Sequence, residues 1–137
     1  MDPLSISAAS VSLIAVISKA TLRIGIFIID VRESRKDLDA ISRELSSLSL
    51  CLSALADDSE KGGVGFPLSL TENVLRVIRN CDEVVQELEK LLFKLSSGSL
   101  KRKVQWVVYG RDDALKLRLN LEAHKSALDI ALDMVTL

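Results

Sequence analysis

The residues of this chain best suited to chemistry are one histidine, two cysteines and two Asp-Asp pairs, and their spacing offers none of them a partner. His124 falls in the row Leu117, Leu121, His124, Leu128, Ala131 and Val135, which faces a core, so it reads as a histidine that packs or caps. Its neighbours Glu122 and Lys125 are expected to face solvent. Cys51 and Cys81 form no CxxC and fit no zinc spacing. Each sits in an apolar row, so both read as buried free thiols in a reducing compartment. Asp57-Asp58 and Asp112-Asp113 suit helix ends better than paired acid-base work. No Gly-rich phosphate loop and no HExxH occurs. The sequence thus points to a non-enzyme: catalytic residues none, cofactors none, metal ligands none.

A different chemistry is carried by charge. From Lys90 to Arg111 there is no acidic residue, while Lys90, Lys94, Lys101, Arg102, Lys103 and Arg111 are basic. Trp106 and Tyr109 lie among them. Cations beside interfacial aromatics suit an anionic membrane surface, at roughly 1 kcal/mol per well-placed basic side chain. Lys101, Arg102, Lys103 and Trp106 are therefore the candidate anionic-lipid residues. The competing structural reading is a solvated helix end with Trp106 plugged into the core. Nucleic acid is disfavoured, because the patch is short and the net charge is only −1.

The strongest signal is apolar. Leu4 to Ser18 carries no charge, and only Lys19, Arg23 and Asp30 interrupt the run to Val31. A helix apolar nearly all round belongs in a core or a membrane. A secretory signal would want a basic start, whereas Asp2 is acidic and the run is long and Ser-rich. Asp2 also rules out myristoylation. A permanent span is diluted by Ser5, Ser7, Ser10, Ser12 and Ser18. The expectation is a bundle helix buried at rest, with Leu4, Ile6, Val11, Leu13, Ile14, Val16 and Ile17 as candidate membrane-interaction residues.

These residues need helices to position them. The 137 residues suit one domain, 1–137, with 48% apolar and 27% charged residues and only six Gly and two Pro. Leu38, Ile41, Leu45, Leu48, Leu52 and Leu55 step by three and four, placing one helix that ends near Asp57-Asp58. A loop follows at 62–67. Ser69-Leu70-Thr71-Glu72 reads as a capping box. Val74, Ile78, Cys81, Val85, Leu88, Leu92 and Leu95 then mark a third helix, stopping at 96–98 with Gly98 as its cap. Residues 100–109 read as a short helix or an extended piece broken by Gly110, with Asp112 or Asp113 capping the last helix. That helix has a second apolar stripe, Leu115, Leu119, Ala123, Ala127 and Ile130, which predicts contact with more than one partner. The first segment needs a turn near 21–25 or near 33–35, because Gly25 and neighbouring β-branched residues weaken helix there. The fold class is all-α, an up-and-down four-helix bundle with a short additional helix before the last long one.

Four stretches carry a family resemblance. Met1-Asp2-Pro3-Leu4-Ser5-Ile6 opens a small and apolar helix, and Glu44-Leu45-Ser46-Ser47-Leu48-Ser49 lies in the second. Lys101-Arg102-Lys103-Val104-Gln105-Trp106 precedes the closing Leu121-Glu122-Ala123-His124-Lys125-Ser126-Ala127-Leu128. In this order they resemble the HeLo-like (HELL) N-terminal domain of filamentous fungi, across essentially the whole chain. That family forms the effector domain of fungal NOD-like (STAND) receptors and of amyloid-signalling cell-death proteins. It is similar in architecture to the four-helix domain of the necroptosis pseudokinase. The resemblance implies a bundle that is cytoplasmic at rest and a homo-oligomer once clustered. It implies C-terminal partners of the NACHT, NB-ARC or amyloid-motif kind. On activation the N-terminal helix would meet anionic membrane lipids at the plasma membrane, form a pore and kill the cell. Some relatives carry glycine repeats near this helix, whereas here Gly25 stands alone. The rival expectation is a soluble helical docking module of such a receptor, with no membrane activity.

Overall fold

A computed structural model of the chain describes residues 3–61, 67–96 and 102–136, without the side chains of 3–5, 58–61, 102, 103, 135 and 136. The described residues form helices α1 (Pro3–Asp30), α2 (Arg35–Lys61), α3 (Leu68–Ser96), α4 (Arg102–Gln105) and α5 (Arg111–Thr136). A 3₁₀ turn, Arg32–Ser34, joins α1 to α2, and a π-helical turn, Trp106–Gly110, joins α4 to α5. The architecture is the expected all-α four-helix bundle.

The two periodic helices behave as their patterns dictate. Every member of the row Leu38, Ile41, Leu45, Leu48, Leu52 and Leu55 is buried, as is every member of the row from Val74 to Leu95. Helix α2 runs to Lys61, past the expected stop at Asp57-Asp58. Helix α3 starts one residue ahead of the expected capping box. The Pro67 carbonyl accepts from the Thr71 N–H at 2.9 Å, so Ser69 lies inside the first turn rather than at its cap. Gly98 lies outside the described residues.

Helix α1 is unbroken through Gly25, and the chain turns at 31–34. Ser34 donates its N–H to the Val31 carbonyl at 3.0 Å and its hydroxyl to the same oxygen at 2.6 Å, which fixes the hairpin. Open space surrounds Gly25, since a Cβ there would meet nothing within 4 Å. Packing of the inner face outweighs the weak local propensity.

The four long helices form a square, with α1 and α5 at opposite corners and α2 and α3 at the other two. Among the described helices, α1 packs on α2 and α3, and α5 packs on α2 and α3. The Arg23–Glu89 ion pair at 3.7 Å joins the late turns of α1 and α3, so these neighbours run in the same direction. Arg111–Asp37 at 3.3 Å and Lys125–Glu44 at 3.3 Å do the same for α2 and α5. The α2–α3 connection therefore crosses from one corner to the opposite one.

From Arg102 onward the stretch before α5 is helical, and Gly110 does not break it. The Arg111 N–H bonds to the Trp106 carbonyl five residues back, so the turn holds one residue more than an α turn. That extra residue rotates Trp106 inward, where its ring meets Phe27 with centroids 5.8 Å apart. Gly110 gives the indole its space: a Cβ there would lie 2.6 Å from Trp106 Cε3 and 2.9 Å from Leu95 Cδ1. Asp112 and Asp113 sit in the first turn of α5, where their charge suits the helix dipole, and neither is its cap.

Candidate functional site

The candidate membrane residues divide between the two sides of α1. Ile6, Leu13 and Ile17 are buried with Ala20, Ile24 and Phe27 against α2 and α3. Ile14 and Val16 are half-buried at the edges, and Val11 is exposed. The side chain of Leu4 lies outside the described residues. The expectation of a resting helix with its apolar side chains buried thus holds for the inner face alone.

The outer face is the site that the sequence reading missed. Val11, Leu22, Ile26 and Ile29 are 57–76% exposed, and Ala8, Ala15, Ser18 and Gly25 share their side of the helix. The most apolar window of Ile6–Asp30 has mean hydropathy 1.9, and only 28% of it is buried. By length and composition this helix could cross a membrane. Core helices of soluble proteins and N-terminal signal sequences pass the same test, so what sets α1 apart is the apolar row on its exposed side. The signal was present as a row spaced by three and four, 11-15-18-22-26-29. It was hidden because the inner face is equally apolar.

Toward α2 the apolar surface continues into a shallow groove of about 620 Å³. Its walls are Ile17, Ser18, Thr21 and Leu22 on one side and Ser46, Ser49, Leu50 and Ser53 on the other, with no charged residue among them. Leu50 is a further exposed apolar side chain there. The hydroxyls are partly satisfied within their own helix. Ser18 donates to the Ile14 carbonyl at 3.1 Å and Thr21 to the Ile17 carbonyl at 2.9 Å. Hydroxyls bonded in this way tolerate an apolar medium. Toward α3 the border is charged, with Lys19 exposed and Arg23 reaching Glu89.

Of the expected anionic-lipid group, Trp106 is the member whose side chain is described. Lys101 and the side chains of Arg102 and Lys103 lie outside the described residues. Trp106 is fully buried, and its Nε1 has no hydrogen-bond partner. It is a core residue and not an interfacial anchor, because the π turn swings it under the bundle end. Val104, Val107, Val108 and Tyr109 are exposed in its place.

The remaining chemical candidates lie apart. His124 is half-buried on α5. Glu122 and Lys125 are not free in solvent: Glu122 pairs with Arg118 at 3.2 Å, and Lys125 with Glu44 across to α2. Cys51 and Cys81 are buried free thiols. Desolvation pushes both up to about 12, with an Asp129 hydrogen bond adding to the effect at Cys51. Asp57 is exposed, and the side chain of Asp58 lies outside the described residues. Among the described residues, no three His, Cys, Asp or Glu side chains are grouped so as to hold a metal ion.

Over residues 1–137 the chain matches the family described as pigment biosynthesis cluster protein PigL N-terminal. The chain belongs to this family. No curated protein and no solved structure matches it. Within this PigL N-terminal domain, the uncovered outer face of α1 and the neutral groove beside it form an apolar surface that the core does not use.

Proposed function

We propose that this domain is a non-enzymatic, membrane-associating module, and that the outer face of α1 is the surface that meets lipid. The observation that carries the reading is the exposure of Val11, Leu22, Ile26 and Ile29 on a helix long and apolar enough to span a bilayer. Each such side chain contributes about 1.5–3 kcal/mol when fully withdrawn from water. Several together support reversible attachment of the intact bundle, lying flat, before any rearrangement.

This route differs from ejection of α1. Ejection would uncover Ile6, Leu13, Ile17, Ile24 and Phe27 and leave a trough between α2 and α3. Emptying a single large core position costs about 2–5 kcal/mol, so ejection needs an input that surface attachment does not. The finer reading is that clustered copies complete the insertion and that the outcome is cell death. It rests on the resemblance to HeLo-like domains, and the PigL N-terminal family name states no reaction.

The test is flotation of the purified chain with vesicles, zwitterionic and anionic, followed by dye leakage. The wild-type chain is expected to float, and Leu22→Glu/Ile26→Glu to remain in solution with unchanged helicity. Ser47→Glu/Gln86→Glu adds the same charge on other exposed positions and is expected to float like wild type. A folded wild-type chain that never floats, even when clustered artificially, overturns the membrane reading and leaves the soluble docking module.

A further inference from the structure

A single buried side chain fastens the stretch before α5 to the bundle. Within residues 104–110, Val104, Val107, Val108 and Tyr109 stand 46–67% exposed, and Gln105 is half-buried. Trp106 and Gly110 are buried, and Gly110 has no side chain to contribute. The indole of Trp106 is therefore the plug. It faces Phe27 near the end of α1, while Leu95 near the end of α3 lies close to the same glycine. The turn also packs on Arg32–Ser34.

This fastening is weak for its size. The indole N–H is buried with no hydrogen-bond partner among the described residues. A buried donor left unpaired forfeits the bond it makes to water, and leaving the core restores it. The turn is π-helical, a rare form that recurs at functional sites. A unit with few buried apolar contacts opens at lower free energy than the core around it. Leu88 of α3 is the opposite case, one member of a continuous buried row that is freed only when the long helices part. Beyond the turn the chain is held again, by the buried Ala114 and by the Arg111–Asp37 pair at 3.3 Å. The stretch therefore has a fixed point at the start of α5 from which to swing.

We infer that residues 102–110 are a clasp on α1, which opens as a unit from the start of α5 and takes Trp106 away from Phe27 while the remaining helices stay packed. Phe27 belongs to the inner row of α1, so the closed clasp is an autoinhibitory contact that keeps the last turns of α1 in the bundle. As a restraint on insertion the clasp rests on the lipid reading of α1. As an opening in solution it does not, and the test is made without lipid.

Hydrogen exchange on the intact chain, followed by NMR, tests it. Trp106 is the only tryptophan, so its indole N–H gives one resonance. It is compared with the Val31 amide, which bonds the Phe27 carbonyl at 2.8 Å, and with the Leu88 amide of the core. After correction for intrinsic rates, the indole and Val31 protons are expected to exchange at least about a hundredfold faster than Leu88. Low urea should leave those two rates unchanged and raise that of Leu88. Gly110→Ala sets a methyl group against the indole and is expected to speed the indole and Val31 protons by the same factor, about tenfold or more. Phe27→Leu removes the facing ring from the α1 side and is expected to speed the indole likewise, with helicity unchanged. An indole that exchanges no faster than Leu88, with the same rise in urea, overturns the inference. So does an indole indifferent to Phe27→Leu, or a Val31 amide that Gly110→Ala leaves unmoved while the indole speeds up.

Discussion

Helices α1 and α3 are neighbours of nearly equal length, 28 and 29 residues, running in the same direction. Their composition differs in one respect. Helix α3 places its apolar residues on the core side and lines its outer side with Glu72, Arg76, Arg79, Glu83 and Lys90, all exposed. Helix α1 fills the core equally well and then repeats the apolar pattern on the outside. Core packing accounts for every large apolar residue of α3 except Leu68 at its first turn and Phe93 near its end, which are exposed. It leaves Val11, Leu22, Ile26 and Ile29 of α1 unexplained. What the comparison teaches is that a bundle needs one apolar stripe per helix, and a second stripe calls for another environment.

The sharpest way to break this comparison is to truncate one side chain on each face. Leu88→Ala on α3 is expected to cost about 2–5 kcal/mol in urea unfolding, because Leu88 is fully buried. Leu22→Ala on the outer face of α1 is expected to stay within about 0.5 kcal/mol of wild type. A large loss at Leu22 would mean that the outer face is packed in solution, and the contrast between the helices would collapse.

The two helical glycines sharpen it further. Gly110→Ala would press a methyl group into Trp106 and Leu95, and is expected to destabilise by about 1–3 kcal/mol. Gly25→Ala meets open space in an exposed helix interior, and is expected to stabilise by about 0.5–1 kcal/mol. Thermal unfolding of the two variants should therefore shift in opposite directions. If both shifted downward, Gly25 would be holding a close approach that the intact bundle does not contain.

The same contrast explains what was legible in the sequence. The rows Leu38–Leu55 and Val74–Leu95 could be read with no misplaced residue, because polar side chains between them fix the phase of the helix. Helix α1 offers no phase: with apolar residues on both faces, Val11 and Leu13 look equivalent although one is exposed and the other buried. The candidate membrane residues therefore mixed core with surface, and Leu22, Ile26 and Ile29 were passed over. Of the two readings of Trp106, anionic-lipid contact and a plug in the core, the second holds, and composition alone does not decide between them. A π turn inserts one residue and rotates what precedes it, and no single residue announces it. The corner-to-corner crossing between α2 and α3 was also illegible, since helix periodicity fixes faces but not neighbours.

A further expected effect concerns pH and the two buried free thiols, Cys51 on α2 and Cys81 on α3. Burial raises Cys51 and Cys81 from 9.0 to about 12. Below pH 9.0 both thiols are protonated whether the chain is folded or not, and their contribution to stability is complete. Above it the unfolded chain releases protons that the folded chain retains. The unfolded state then binds fewer protons, so stability falls with rising pH until the folded thiols also ionise near 12. Urea midpoints measured near neutrality and at about pH 10.5 should show this loss in wild type. In Cys51→Ala/Cys81→Ala the midpoint should start lower, since two core side chains are shortened, but the alkaline drop should be smaller. Equal drops in the two proteins would place the alkaline sensitivity elsewhere. Rapid alkylation of either thiol in the folded chain would mean that the core around it opens as readily as the outer face of α1 is exposed.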